Sequence, residues 1–105
     1  PMSVLVNSAT ACSAELFAAA LKDYEAATVV GETTYGKGIA QTVVELSDGS
    51  ALILSNNKFL PPHSPSFDTI GIVPDLESKL KVSNFYLAER DDDNQLQDAI
   101  SALGV

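Results

Sequence analysis

A single cysteine, Cys12, leaves the chain without an internal disulfide framework, and a lone thiol without partners builds no zinc site. The one histidine is His63, so any histidine-based triad would have to use it. Basic residues are scarce: six Lys and Arg stand against fourteen Asp and Glu, for a net charge of −8. Such a balance repels phosphate backbones and anionic lipid heads, which argues against nucleic acid as a partner and against polybasic membrane docking. No run approaches the roughly 18–20 apolar residues of a membrane span. The opening Pro1-Met-Ser-Val-Leu-Val-Asn7 holds neither a basic segment nor a long apolar one, and it reads as already inside a buried strand. The expectation is therefore a fragment whose targeting segment lies elsewhere. Repeats and low-complexity linkers are also missing, which favours one domain.

What is present suits a small α/β unit. A chain of 105 residues makes one small domain or one lobe of a larger one, and at that size only roughly 60–65% of the unfolded surface is buried. Val4-Leu5-Val6 predicts a strand and Ser8 to Thr10 a turn. From Cys12 to Tyr24 the period changes: Phe17, Leu21 and Tyr24 fall at i, i+4 and i+7 among alanines, which predicts an amphipathic helix. Glu15 lies in its first turn, where the helix dipole favours negative charge. Ala27 to Val30 is a second β-branched run, stopped by Gly31, so the first thirty residues form a βαβ unit with parallel pairing. Active sites in such units gather at the carboxyl ends of the strands, from which Asn7 to Cys12 and Gly31 to Lys37 emerge. Thr42 to Leu46 and Ala51 to Leu54 predict a hairpin around Asp48-Gly49. Asn56 to Asp68, with Pro61, Pro62 and Pro65, predicts an extended loop. Gly71 to Asp75 reads as partly extended and Glu77 to Leu87 as ambiguous. A C-terminal helix is predicted near Asp93 to Leu103, with Asp92 and Gln95 spaced as a capping box.

Three groups carry candidate chemistry. Gly31 to Gly38 nearly spells a phosphate-binding P-loop, but Gly38 stands where that motif needs a hydroxyl for magnesium, and a strand follows where it needs a helix. Nucleotide binding is set aside on both grounds. Lys37 between Gly36 and Gly38 is either a general base, once burial lowers its pKa, or a surface residue of a flexible loop. Cys12 at the helix N-terminus is either a thiol whose anion the dipole and amides favour, or a small buried apolar residue. His63 sits in the proline loop and reads as a loop residue. Asp91 to Asp93 reads as a solvated helix cap.

Thr10-Ala-Cys-Ser-Ala-Glu-Leu-Phe-Ala-Ala-Ala-Leu-Lys-Asp-Tyr24, followed by Thr28-Val-Val-Gly-Glu-Thr-Thr-Tyr-Gly-Lys-Gly38 and Gln41, closely resembles the C-terminal processing (tail-specific) proteases. Those are serine–lysine peptidases with a catalytic core similar to the crotonase and Clp-protease folds. Lys58-Phe-Leu-Pro-Pro62 and Gly71-Ile-Val-Pro-Asp75 are similar to two further segments of that family, so the likeness runs from Val4 to Asp75, with a weaker echo in Gln95 to Ile100. The resemblance implies an α/β, crotonase-like core fragment in which residues 1–105 are the C-terminal part of the catalytic domain, with the PDZ domain and the upstream catalytic segment outside it. Carried over position by position, Lys37 matches the general base, Gln41 the glutamine that orients it, and Cys12 the nucleophile. Cysteine in place of serine departs from the family. Ser13 matches a small position whose backbone amide serves the oxyanion.

The implied reaction is endoproteolysis in protein C-terminal regions by acyl transfer. No metal or organic cofactor is implied, the partner is a protein or peptide substrate, homo-oligomerisation is compatible, and the compartment by resemblance is extracytoplasmic. The rival from another class is a catalytically inactive relative that binds peptides or assembles with other chains, and Cys12 is its main support.

Overall fold

The computed structural model describes residues 1–81 and 89–104. Its elements run β1 (Ser3–Val6), α1 (Ser13–Asp23), β2 (Thr28–Gly31), β3 (Ile39–Glu45), β4 (Ala51–Lys58), β5 (Leu76–Glu77) and α2 (Asn94–Ser101). The expected βαβ unit is present: β1 pairs with β2 in parallel, Ser3 opposite Thr28 through Val6 opposite Gly31. Strand β5 joins the other side of β2, also in parallel, giving the order β1-β2-β5. Parallel strands covered on both faces favour continuous apolar runs. Val29 and Val30 of β2, which point to opposite faces, are accordingly both sealed from solvent. Val29 packs with Val6 and with Ala18 of α1, and a second cluster joins Ala19 to Phe67 and Ile72. Helix α2 lies across β1 and β2, and Ser3 donates its hydroxyl to the carbonyl of Ala99 at 3.0 Å.

Three expectations change. The helix-period residues Phe17 and Tyr24 face outward, 63% and 64% exposed, while Glu15, Ala18 and Ala19 are the buried ones. Small alanines let the helix approach the sheet closely, so the buried stripe is the one with the smallest side chains and the apolar moment of Phe17, Leu21 and Tyr24 misleads. The cap of α2 is Asp93, whose carboxylate accepts from the amide of Leu96, and not Asp92. Gln95, the supposed second half of the capping box, donates instead to the carbonyl of Ser78 at 2.7 Å. The proline loop begins after Lys58 and not at Asn56, because β4 continues to Lys58. The ambiguous segment Glu77 to Leu87 begins in β5, and its residues 82–87 lie outside the described ones.

The β3–β4 hairpin forms its own two-stranded sheet. Its turn is closed by Leu46 and Gly49 backbone bonds and by Asp48, which accepts from the amide and hydroxyl of Ser50. Val43 and Ile53 are directly opposite each other and both largely exposed. A bulge interrupts the register between Ala40 and Gln41, where Ala40 faces Asn57 but Gln41 faces Ser55. Among the described residues no helix is long and apolar enough to cross a membrane.

Candidate active site

Cys12 is the N-cap of α1 and sits at φ 60°, ψ −122°. A side chain in that region is strained by about 1–3 kcal/mol, a feature that clusters at sites where geometry serves chemistry. The turn before it is built by Asn7 and Thr10: the Thr10 amide donates to the Asn7 carbonyl, and the Asn7 amide donates to the Thr10 hydroxyl. The chain therefore leaves β1, turns sharply, and presents Cys12, half-buried, at the start of the helix.

The centre of the site is a residue that dipole reasoning undervalues. Glu15, fully buried, directs its carboxylate back past the helix start. One oxygen, Oε2, accepts the Cys12 amide and the Lys37 amide, each at 2.9 Å. The other, Oε1, accepts the Gly36 amide at 2.7 Å and the Thr34 hydroxyl. Burial pushes this carboxyl up, but the hydrogen bonds from Thr34, Gly36, Lys37 and Cys12 outweigh it and hold the carboxyl below its ordinary value. Two nitrogens bonded to one oxygen lie no more than about 6 Å apart, so Cys12 and Lys37 meet although 25 positions separate them.

The lysine loop is pinned from its other side. Thr34 donates its amide to the Ile72 carbonyl and accepts the Ile72 amide at its hydroxyl. The Thr69 amide reaches the Gly36 carbonyl at 2.8 Å, and the Gly38 amide reaches Asp68 Oδ1 at 3.0 Å. Both flanking glycines are needed for this fit. Gly36 takes φ 89°, and a methyl there would lie 2.9 Å from the Gly71 nitrogen; a methyl on Gly38 would lie 2.6 Å from the Asp68 Cβ. The reason for glycine at these positions is thus close approach by the 67–72 segment.

Side-chain placement is less complete. Lys37 is exposed, and among the described residues no hydrogen bond or ion pair holds its ammonium. Gln41 is also exposed and donates its amide to the Ser55 hydroxyl at 3.3 Å, with no hydrogen bond to Lys37. The bulge beside Gln41 accounts for this pairing, since a bulge re-aims the side chains that follow it. The Ser13 amide makes no hydrogen bond among the described residues, while the Cys12 amide is taken by Glu15. His63 lies at the opposite end of α1 from Cys12, about 16 Å of helix away. There its ring meets the edge of Tyr24 at 5.2 Å, and the Asp23 carboxylate accepts the amides of His63 and Ser64. A Cys12–His63 pair is excluded by that distance. The Ser64 hydroxyl, then the Ser64 and His63 amides, hold the Asp23 carboxyl below its usual range.

Residues 1–78 match the family model described as peptidase family S41. The chain belongs to peptidase family S41. It is 38% identical over 103 residues to a carboxyl-terminal-processing protease of Synechocystis sp., which covers 98% of this chain and 24% of the relative. It is 48% identical over 75 residues to the chloroplastic carboxyl-terminal-processing peptidase 2 of Arabidopsis thaliana, covering 71% and 15% respectively. Among solved structures it is similar to the photosystem II D1 C-terminal processing protease, with a TM-score of 0.72 and 42% identity over 75% of this chain and 20% of that one. The chain thus spans between about a seventh and a quarter of the length of these S41 relatives. Its α/β core, with parallel β1-β2-β5 and covering helices, has the fold of S41 protease domains.

Sequence reasoning missed Glu15 and Thr34 as site residues. The available signal was the spacing Cys12-x-x-Glu15, in which the N3 side chain reaches back to the N-cap amide as in a capping box.

Proposed function

We propose that the full-length S41 protein is an endopeptidase cleaving proteins in their C-terminal regions, and that this segment supplies its nucleophile, its base and one oxyanion donor. Cys12 gives its thiol proton to the neutral Lys37 amine as Sγ attacks the scissile carbonyl carbon, and the developing oxyanion is met by the free Ser13 amide at the N-terminus of α1. The tetrahedral intermediate collapses to a thioester as the C–N bond breaks, and the Lys37 ammonium protonates the departing amine. Lys37, now neutral, takes a proton from water as the water attacks the thioester, and returns it to the departing Cys12 sulfur, which releases the acid and restores the Cys12 thiol and the neutral amine. Gln41 orients Lys37 in this reading, through a rotation away from Ser55. The compartment assigned is extracytoplasmic, by the family resemblance.

The observation that supports this reading most directly is the shared oxygen of Glu15, which brings the backbones of Cys12 and Lys37 together at the carboxyl end of β1. The test is cleavage of an unfolded protein by the full-length polypeptide and by its Lys37→Ala variant. Loss of cleavage in the variant is expected. Cleavage at the parent rate without Lys37 overturns the assignment, and a folded parent that binds peptides without cutting them points to the inactive relative.

A further inference from the structure

We infer that Glu15 is the positioning residue of this site: its carboxylate locks the Cys12 turn and the Lys37 loop into one rigid unit. The inference rests on the Cys12–Lys37 reading and deepens it. A carboxylate with no exposure and, among the described residues, no cationic partner is costly to bury unless hydrogen bonds satisfy it. Here all its partners are donors from the two segments that carry the reacting groups. The Cys12 amide comes from the helix N-cap; the Thr34 hydroxyl and the Gly36 and Lys37 amides come from the loop after β2. Thr34 carries the connection further, because its hydroxyl also accepts the Ile72 amide at 2.6 Å. The series Ile72, Thr34, Glu15, Cys12 thus runs by direct hydrogen bonds through three separate segments.

Two consequences follow for chemistry. The first is registry. Cys12 holds a left-handed backbone conformation, and Lys37 sits in a glycine-flanked loop with no side-chain anchor among the described residues. The shared oxygen, together with the bond from the Tyr35 amide to the Thr10 carbonyl at 2.9 Å, sets the separation of the two backbones, and the carboxylate is the part of that connection that reaches Cys12 and Lys37 themselves. The second is selection of the oxyanion donor. By engaging the Cys12 amide, Glu15 withdraws it from the oxyanion and leaves the next amide, Ser13, free. Glu15 touches no reacting atom and acts through these two backbones.

Glutamine is a close match in shape, but its NH2 must face a donor. In the full-length protein Glu15→Gln therefore loosens one of the two segments, and a displacement near 1 Å is worth about a hundredfold in rate. The expected result is a fall in kcat of about a hundredfold with KM changed less than about threefold. Thr34→Val, which leaves the carboxylate but removes one donor, lowers kcat about tenfold in the same pattern, and Thr34→Ser recovers at least half of that loss. A merely structural role lowers the melting temperature but leaves kcat per folded molecule intact, and gives no recovery with serine. Folded Glu15→Gln enzyme with kcat within about threefold of the parent, alongside an inactive Lys37→Ala, overturns the inference and leaves the catalytic pair standing. An active Lys37→Ala overturns the pair itself. Should Glu15→Gln fail to fold, the Thr34 variants decide: kcat unchanged in Thr34→Val overturns the inference, and a selective fall with recovery by serine supports it.

Discussion

Glu15 and Lys37 are joined through backbone and not through charge: the carboxylate accepts the Lys37 amide at 2.9 Å, and the lysine side chain is left free of it. The amide is present whatever the side chain. Lys37→Ala should therefore keep the loop in place, and its unfolding free energy should stay within about 0.5 kcal/mol of the parent, as for other surface changes. Denaturant unfolding of the two proteins checks this. Activity should vanish in the same variant, so stability and turnover separate cleanly at this position.

Acid should act on the same carboxylate. Its folded pKa lies below the ordinary 4.5, so the stability it contributes is complete above the unfolded value and is lost as pH falls through the folded one. Melting temperatures of the parent should decline below about pH 4.5 more steeply than those of Glu15→Gln, which has no proton to gain there. Equal slopes in the two proteins would show that Glu15 does not titrate as the geometry requires.

The flanking glycines should be intolerant for steric reasons. A methyl at Gly38 falls 2.7 Å from the Asp68 backbone, which cannot swing aside as a flexible side chain does. Gly38→Ala should destabilise by about 2 kcal/mol or more, and Gly36→Ala similarly, since its φ of 89° adds strain to the clash. By contrast Gly49, at the hairpin tip with nothing within 4 Å, should lose only the cost of its positive φ on change to alanine, about 1 kcal/mol. Thermal denaturation of the three variants gives the ranking.

Local signals in the sequence were enough for much of this fold. Short continuous apolar runs with a helix between them located β1, α1 and β2, because each signal lies within one element. The buried face of α1 was not legible, since it depends on how closely a helix can approach a sheet, and small alanines won over Phe17 and Tyr24. Cys12 and Lys37 were visible as a pair only through family resemblance. The clasp that joins them was hidden because its four donors are backbone amides and a threonine hydroxyl, and nothing in a residue's identity says which amide a carboxylate will meet.

Exposed apolar residues on the hairpin carry a further consequence. Val43 and Ile53 face each other across β3 and β4 at 60% and 65% exposure, and a two-stranded ribbon has no second layer to cover them. The 105-residue chain alone should bind a hydrophobic dye and self-associate with rising concentration. Val43→Thr with Ile53→Thr should weaken both, with a change in stability below about 1 kcal/mol, because little burial is lost. Unchanged dye binding in the double variant would place the sticky surface elsewhere.

The nucleophile is tested most sharply at the strained turn. Cys12 occupies φ 60°, ψ −122°, so any side chain there carries strain that glycine lacks. Cys12→Gly should be stabilising by about 1 kcal/mol, after allowing for the greater freedom of glycine in the unfolded chain, and should be inactive. Cys12→Ala should be inactive too, with stability close to the parent. Cys12→Ser should keep turnover or raise it, since the family resemblance implies a serine nucleophile beside the lysine base. Ser13→Ala should alter the rate only modestly, because its contribution is a backbone amide that alanine also provides. Alkylation of the lone thiol of this segment should follow cleavage activity downward in proportion. A Cys12→Ala enzyme that still cleaves at the parent rate, with Ser13→Ala dead, would move the nucleophile one residue along the helix and with it the whole arrangement around Glu15.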